Sequence, residues 1–138
     1  MSLITNQALI EKAKSVVNSK KIGAYIVGDV GAALITASGN IYVGVCIDMS
    51  SGIGFCAEHS AIAAMVTAGE YRIEKIVAVW KDEADCTYIL ALCGRCREFM
   101  QQIHADNLSI EVIIEADKVV TLAELLPYRH WFHKLSEV

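Results

Sequence analysis

Hydrophobic and polar positions alternate with different rhythms along the chain. Across residues 3–20 the apolar positions Leu3, Ala8 with Leu9, Ala13, and Val16 with Val17 recur at helical spacing. That pattern predicts an amphipathic helix lying over a core. Thr5 or Asn6 suits its start, and Lys20, Lys21 and Gly23 suit its end. Residues 27–34 and 40–47 predict two strands joined by a turn at Ser38-Gly39. The apolar-rich run 57–68, closed by Gly69, predicts a second helix, and 94–104 a third. Ile76-Val77-Ala78-Val79-Trp80, within 74–81, is a short unbroken apolar run of the kind found in a central strand. Residues 109–115 predict another strand. Residues 121–126 predict a short helix with Thr121 as cap and Glu124 three residues on, stopped by Pro127, the only proline. The remaining stretch, 128–135, gathers Tyr128, Trp131 and Phe132 with His130 and His133.

A strand–helix–strand crossover makes its two strands parallel, whereas the hairpin is antiparallel. The order of elements therefore predicts a mixed sheet with helices on both faces, a three-layer α/β/α class. Residues 1–138 read as one domain, since they hold no repeat, linker or low-complexity segment. A hydrophobic content of 54% suits a sheet covered on both sides and a subunit interface besides. The formal net charge is −4, with no basic run, which argues against a nucleic-acid polymer as partner and for a small soluble substrate. Residues 30–47 lack charge, but a turn signal at 36–40 interrupts them, so no membrane span is expected. Five cysteines without a signal peptide suggest a reducing, cytoplasmic setting.

Two short runs change this picture from a fold to a chemistry. Phe55-Cys56-Ala57-Glu58-His59 and Cys93-Gly94-Arg95-Cys96-Arg97 each stand at a predicted helix start. Cys93 and Cys96, three residues apart, lie on one side of a first turn, whose unpaired N–H groups and dipole favour thiolate. Three thiolates with a fourth position open is a catalytic zinc arrangement. Glu58 points away from the line of Cys56 and reaches over the open position. There it can take a proton from water and return it to a leaving amine. His or Cys, one residue, Glu, then Pro-Cys-x-x-Cys is the mark of zinc nucleobase deaminases, and this chain follows it with Leu92 in place of the proline. A rival reading uses the shared helix face of Cys56 and His59 to build a closed, structural Cys3His zinc site. The loop Ser50-Ser51-Gly52-Ile53-Gly54 lacks the lysine and spacing of a phosphate loop. It is better suited to bring backbone close to metal and substrate.

With Val30-Gly31-Ala32-Ala33-Leu34, Tyr42-Val43-Gly44 and Glu124-Leu125-Leu126-Pro127 added to those motifs, nearly the whole chain resembles the cytidine deaminase family. The similarity is to its small-chain branch, which includes blasticidin S deaminases. The resemblance implies one Zn²⁺ per chain on Cys56, Cys93 and Cys96, with Glu58 as proton shuttle. It also implies a homotetramer, or a homodimer, with active sites near subunit contacts. The reaction implied is hydrolysis at C4 of a cytosine ring, giving uridine or deoxyuridine and ammonia from cytidine or deoxycytidine. Ala57 would offer its backbone to substrate, and Phe55 would wall the pocket.

Several positions depart from the family pattern. Three thiolates on Zn²⁺ leave a formal −1, which calls for positive potential nearby. The helix N-termini supply part of it. Relatives often carry Arg beside the catalytic Glu; here His59 stands there, and a protonated His59 and Arg97 are candidates for the rest. Cys46 and Asp48 match an Asn and a Glu that hold ribose hydroxyls, and Cys46 is a weak hydrogen-bonding group. Gly28 falls where relatives often have Phe, which would widen the pocket. His130, with Trp131 beside it, stands where an aromatic usually closes over substrate as a lid. A modified cytosine nucleoside of the blasticidin S type is therefore an alternative substrate.

Overall fold

The computed structural model describes residues 4–136; the predicted helix start at Leu3 lies outside them. Helix α1 (Asn6–Val16) begins at Thr5, whose hydroxyl accepts the Ala8 N–H at 3.1 Å. The chain then forms β1 (Lys20–Ile22), β2 (Tyr25–Thr36), β3 (Ile41–Ile47), α2 (Ala57–Thr67), β4 (Ile73–Lys81), β5 (Thr87–Leu90) and α3 (Gly94–Ile103). A 3₁₀ turn (Ala105–Ser109), β6 (Glu111–Glu115), β7 (Lys118–Thr121) and α4 (Leu122–Leu125) complete it. Lys20 and Lys21 thus open a strand rather than end a helix, and Ser109 belongs to the 3₁₀ turn rather than to β6.

The seven strands make one mixed sheet. Strand β2 sits between β3 and β4, antiparallel to both. Strand β4 pairs antiparallel with β5 and, further along, parallel with β6, the pair that the α3 crossover demands. The unbroken apolar runs follow from burial on both faces. Along β4, Ile76 and Ala78 face one core, while Val77 and Val79 face the other. Ala32 and Leu34 alternate with Ala33 on β2 in the same way, and Val112 with Ile113 on β6. Leu9, Ile10 and Ala13 of α1 cover the second face. Helices α2, α3 and α4 cover the first, through Ile62, Met65, Met100 and Leu122 among others. Burying one such large side chain is worth about 1.5–3 kcal/mol.

Two contacts set the helices that matter for function. At Gly44 on β3 a Cβ would lie 2.5 Å from the Ala61 nitrogen, so α2 rests directly on strand backbone. The Ser60 hydroxyl donates to the Val45 carbonyl at 2.7 Å and fixes the same approach. Buried Asn107 ties α3 to β4. Its Oδ1 accepts the Ile73 N–H at 2.9 Å, and its Nδ2 donates to the carbonyls of Tyr71 and Met100. Among the described residues no helix is long and apolar enough to cross a membrane.

Candidate active site

Cys56 is the N-cap of α2 and Cys93 the N-cap of α3; neither uses its side chain to cap its helix. Both sulfurs are therefore free of the duty that Ser or Asp performs at that position. Cys96 follows one turn into α3 and is fully buried. The Sγ atoms of Cys56 and Cys93 are 3.4 Å apart, and those of Cys93 and Cys96 3.2 Å. Together with a Glu58 oxygen, these three sulfurs form a set of donors all within 4.8 Å of one another. Tetrahedral zinc–thiolate bonds put sulfurs roughly 3.8 Å apart, so a few tenths of an ångström of spreading admits the ion. The residues fit zinc. Glu58, not His59, completes the set of close donors, which disfavours the closed Cys3His arrangement.

Glu58 is only 3% exposed and its carboxylate engages the Cys96 thiol. Burial and that carboxylate push the Cys96 thiol far up; burial raises Cys56 to about 11. For Cys93 burial pulls the same way, but the Cys96 N–H and the adjacent thiols outweigh it, and its acidity rises. The N-terminus of α3 thus favours one thiolate before any metal arrives.

A sequence profile of the cytidine and deoxycytidylate deaminase zinc-binding region matches residues 4–112. The chain belongs to this deaminase family. A blasticidin-S deaminase of Bacillus cereus is 36% identical over 109 residues, 73% of this chain and 76% of that protein. The solved cytidine deaminase of Mycobacterium leprae superposes with a TM-score of 0.72 at 26% identity, over 90% of this chain and 98% of that one. The corresponding enzyme of Burkholderia pseudomallei gives 0.71 at 28% identity, over 91% and 98%.

Against the deaminase pattern, the other expected site residues fall unevenly. Half-buried Phe55 forms an isolated bridge with Ile47, and its ring lies 6.5 Å from that of His59. Ala57 is fully buried. The His59 ring stacks on Phe99 at 4.2 Å with an interplanar angle of 10°, and its Nδ1 lies 3.5 Å from Cys96 Sγ. Burial, and Arg95 after it, lower its pKa, which works against the protonated form expected above. Arg97 is not turned to the sulfurs. It donates to the carbonyls of Leu92, Leu125 and Ala91, holding the loop in which Leu92 adopts a φ of 66°.

At the C-terminal end of β3, beside the Ile47–Phe55 bridge, Cys46 is 3% exposed and donates to Asp29 Oδ1 at 3.0 Å. Burial, followed by that carboxylate, raises the Cys46 thiol to about 11. Asp48 is exposed, and burial and Asp29 raise its pKa. Asp29, Cys46 and Asp48 have donor atoms within 4.8 Å of one another. Asp29 was not expected there. Between the pairs Val27–Ile47 and Gly31–Val45, strand β2 advances four positions where β3 advances two. The resulting bulge sets which way Asp29 faces. Gly28 supplies a φ of 80°, and a Cβ on it would meet the Asn18 carbonyl at 2.4 Å. Gly28 therefore makes the bulge and does not widen a pocket. Trp131 is 80% exposed, and His130 is exposed as well. Both line a shallow cleft with Gln101, a cleft that holds none of Cys56, Glu58, Cys93 or Cys96. As a lid over this chain's own sulfurs the tail is therefore not in place.

Proposed function

We propose that this protein is a single-domain zinc deaminase that hydrolyses the exocyclic amine of a cytidine-like nucleoside. One ion per chain would sit on Cys56, Cys93 and Cys96. The observation that carries this reading is the buried Glu58 carboxylate among three sulfurs within one ion's reach. When bound, zinc supplies Lewis acidity that lets water ionise near neutral pH. Glu58 takes one proton from the attacking water and passes it to ring nitrogen N3, then carries the second, from the new C4 hydroxyl, to the departing nitrogen. The C4–N bond breaks, a C4 carbonyl forms, and ammonia leaves. The backbone of Ala57 and the ring of Phe55 position the pyrimidine. Cys46, Asp48 and Asp29 face the sugar.

The Cys46–Asp29 bond favours a second reading of substrate. A thiol already donating to a carboxylate is a poor receptor for ribose hydroxyls, and two carboxylates suit a modified sugar that carries positive charge; a blasticidin-S deaminase is among the relatives. Tail side chains such as Tyr128, 98% exposed, and Trp131 suit burial in a homotetramer, where His130 and Trp131 would reach a neighbour's site. The five free cysteines accord with a cytoplasmic location.

The test is ammonia release by zinc-loaded protein from cytidine, deoxycytidine, cytosine and blasticidin S, with Glu58→Gln alongside. Glu58→Gln is expected to lose about 10²–10⁴-fold or more in kcat while retaining zinc. Turnover unchanged in that variant would end the proposed role.

A further inference from the structure

Three features around His59 have no place in the proton transfers above. Its ring lies flat against Phe99, at 4.2 Å and 10°. Its Nδ1 lies 3.5 Å from the sulfur of buried Cys96. Phe99 stands three residues after Cys96 on α3, whereas His59 belongs to α2, so plate and sulfur share one helix and the imidazole crosses from the other. A thiolate on zinc has no proton to give. The nitrogen facing it must then be the donor.

From this we propose that His59 is a positioning residue for the metal site. Its Nδ1–H donates to the Cys96 thiolate, and Phe99 holds the ring in the plane that permits it. This rests on the zinc reading above, but not on any choice of substrate. The hydrogen bond draws charge from one sulfur of a cage that carries a formal −1, and it orients that sulfur toward the ion. Both starting helices are thereby tied through the cage: α2 contributes Cys56 as ligand and His59 as donor, and α3 contributes Cys93 and Cys96.

The measurement is zinc affinity by competition with a chromophoric chelator, with the cobalt-substituted protein read in the near ultraviolet. His59→Phe keeps a ring for Phe99 and removes the donor. His59→Asn keeps an N–H where Nδ1 stands and removes the ring. We expect His59→Phe to lose about 10–100-fold in zinc affinity. Its sulfur-to-cobalt charge-transfer band should move to lower energy, because an unbonded thiolate gives up charge more readily. His59→Asn should retain most of the affinity and leave the band near its parental position. Phe99→Leu, which keeps apolar packing but removes the plate, should fall between them, and it serves if His59→Phe does not fold.

His59→Phe binding zinc as tightly as the parent, with its band unmoved, would overturn the inference while leaving the deaminase reading intact. An imidazole nitrogen at bonding distance from the metal in X-ray absorption would overturn it too. A parent protein that takes up no zinc would sink both.

Discussion

Gly44 offers a direct way to ask how the sheet governs the metal site. Replacing it by Ala adds one carbon, 2.5 Å from the Ala61 nitrogen and from Ser60 Cβ, and 2.8 Å from the Ser60 carbonyl carbon. Ordinary contact needs about 3.5 Å, so α2 must retreat by about 1 Å. Overpacking of this size costs about 1–3 kcal/mol. For a chain of this length that lowers Tm by roughly 4–12 °C. The more telling effect lies at the helix start. Cys56 and Glu58 ride on α2, while Cys93 and Cys96 ride on α3, which Gly44 does not touch. The shift therefore shears the cage, and a misplacement of 1 Å lowers turnover on the order of 10²-fold. Zinc-loaded Gly44→Ala should show both losses in thermal denaturation and in steady-state kinetics. Val43→Ala, at a partly exposed neighbour on the same strand, should stay within about 0.5 kcal/mol of the parent. Parental stability and turnover in Gly44→Ala would refute the claim that this contact sets the position of Cys56.

Three further outcomes are expected. Thiolate is the reactive form of cysteine, and with its pKa at about 11 only about one Cys46 in a thousand is ionised at pH 8. Alkylation of the zinc-loaded protein at that pH should label exposed Cys86 and spare Cys46, as peptide mapping would show. Because the fold favours the neutral Cys46 thiol, its contribution is whole below about pH 9 and is lost as pH rises through about 11. Cys46→Ala should therefore show a shallower alkaline decline in urea midpoint than its parent. Asn107→Ala orphans one N–H and two carbonyls and should lower unfolding free energy by at least about 2 kcal/mol in denaturant titration. Light scattering should return a multiple of the 15.0 kDa chain mass, and removal of residues 128–138 should lower it.

The sequence carried its strongest signals where many residues agree. Burial on both faces makes the central strands continuous in apolar residues, so β2, β3, β4 and β6 were readable. Strand β1 was not, because Lys20, Lys21 and Ile22 lie exposed at an edge and their lysines look like a helix end. Strand β7 is similarly short and little buried. The structure brings Cys56, Glu58, Cys93 and Cys96 together, as their local spacing at two helix starts leads one to expect. Asp29 was missed because it lies in the irregular stretch of β2 between the Val27 and Gly31 pairings, and only Gly28 hinted at it. The placement of Arg97 on three carbonyls depends on a left-handed Leu92, which no local pattern announces. Phe99 sits three residues beyond Cys96, a spacing that does point to one helix face.

The paired hydrogen bonds between Ile47 and Phe55, 3.0 and 2.9 Å, pinch residues 48–54 into a closed loop in which Gly54 is fixed, since a Cβ there would lie 2.4 Å from the Ile47 carbonyl oxygen. Lengthening such a loop costs only about 0.6 kcal/mol for each doubling. Its tip could be rewritten while the residue before Cys56 stays anchored. A library of variants at residues 49–53 could therefore be screened with Gly54, and the residue before Cys56, left in place.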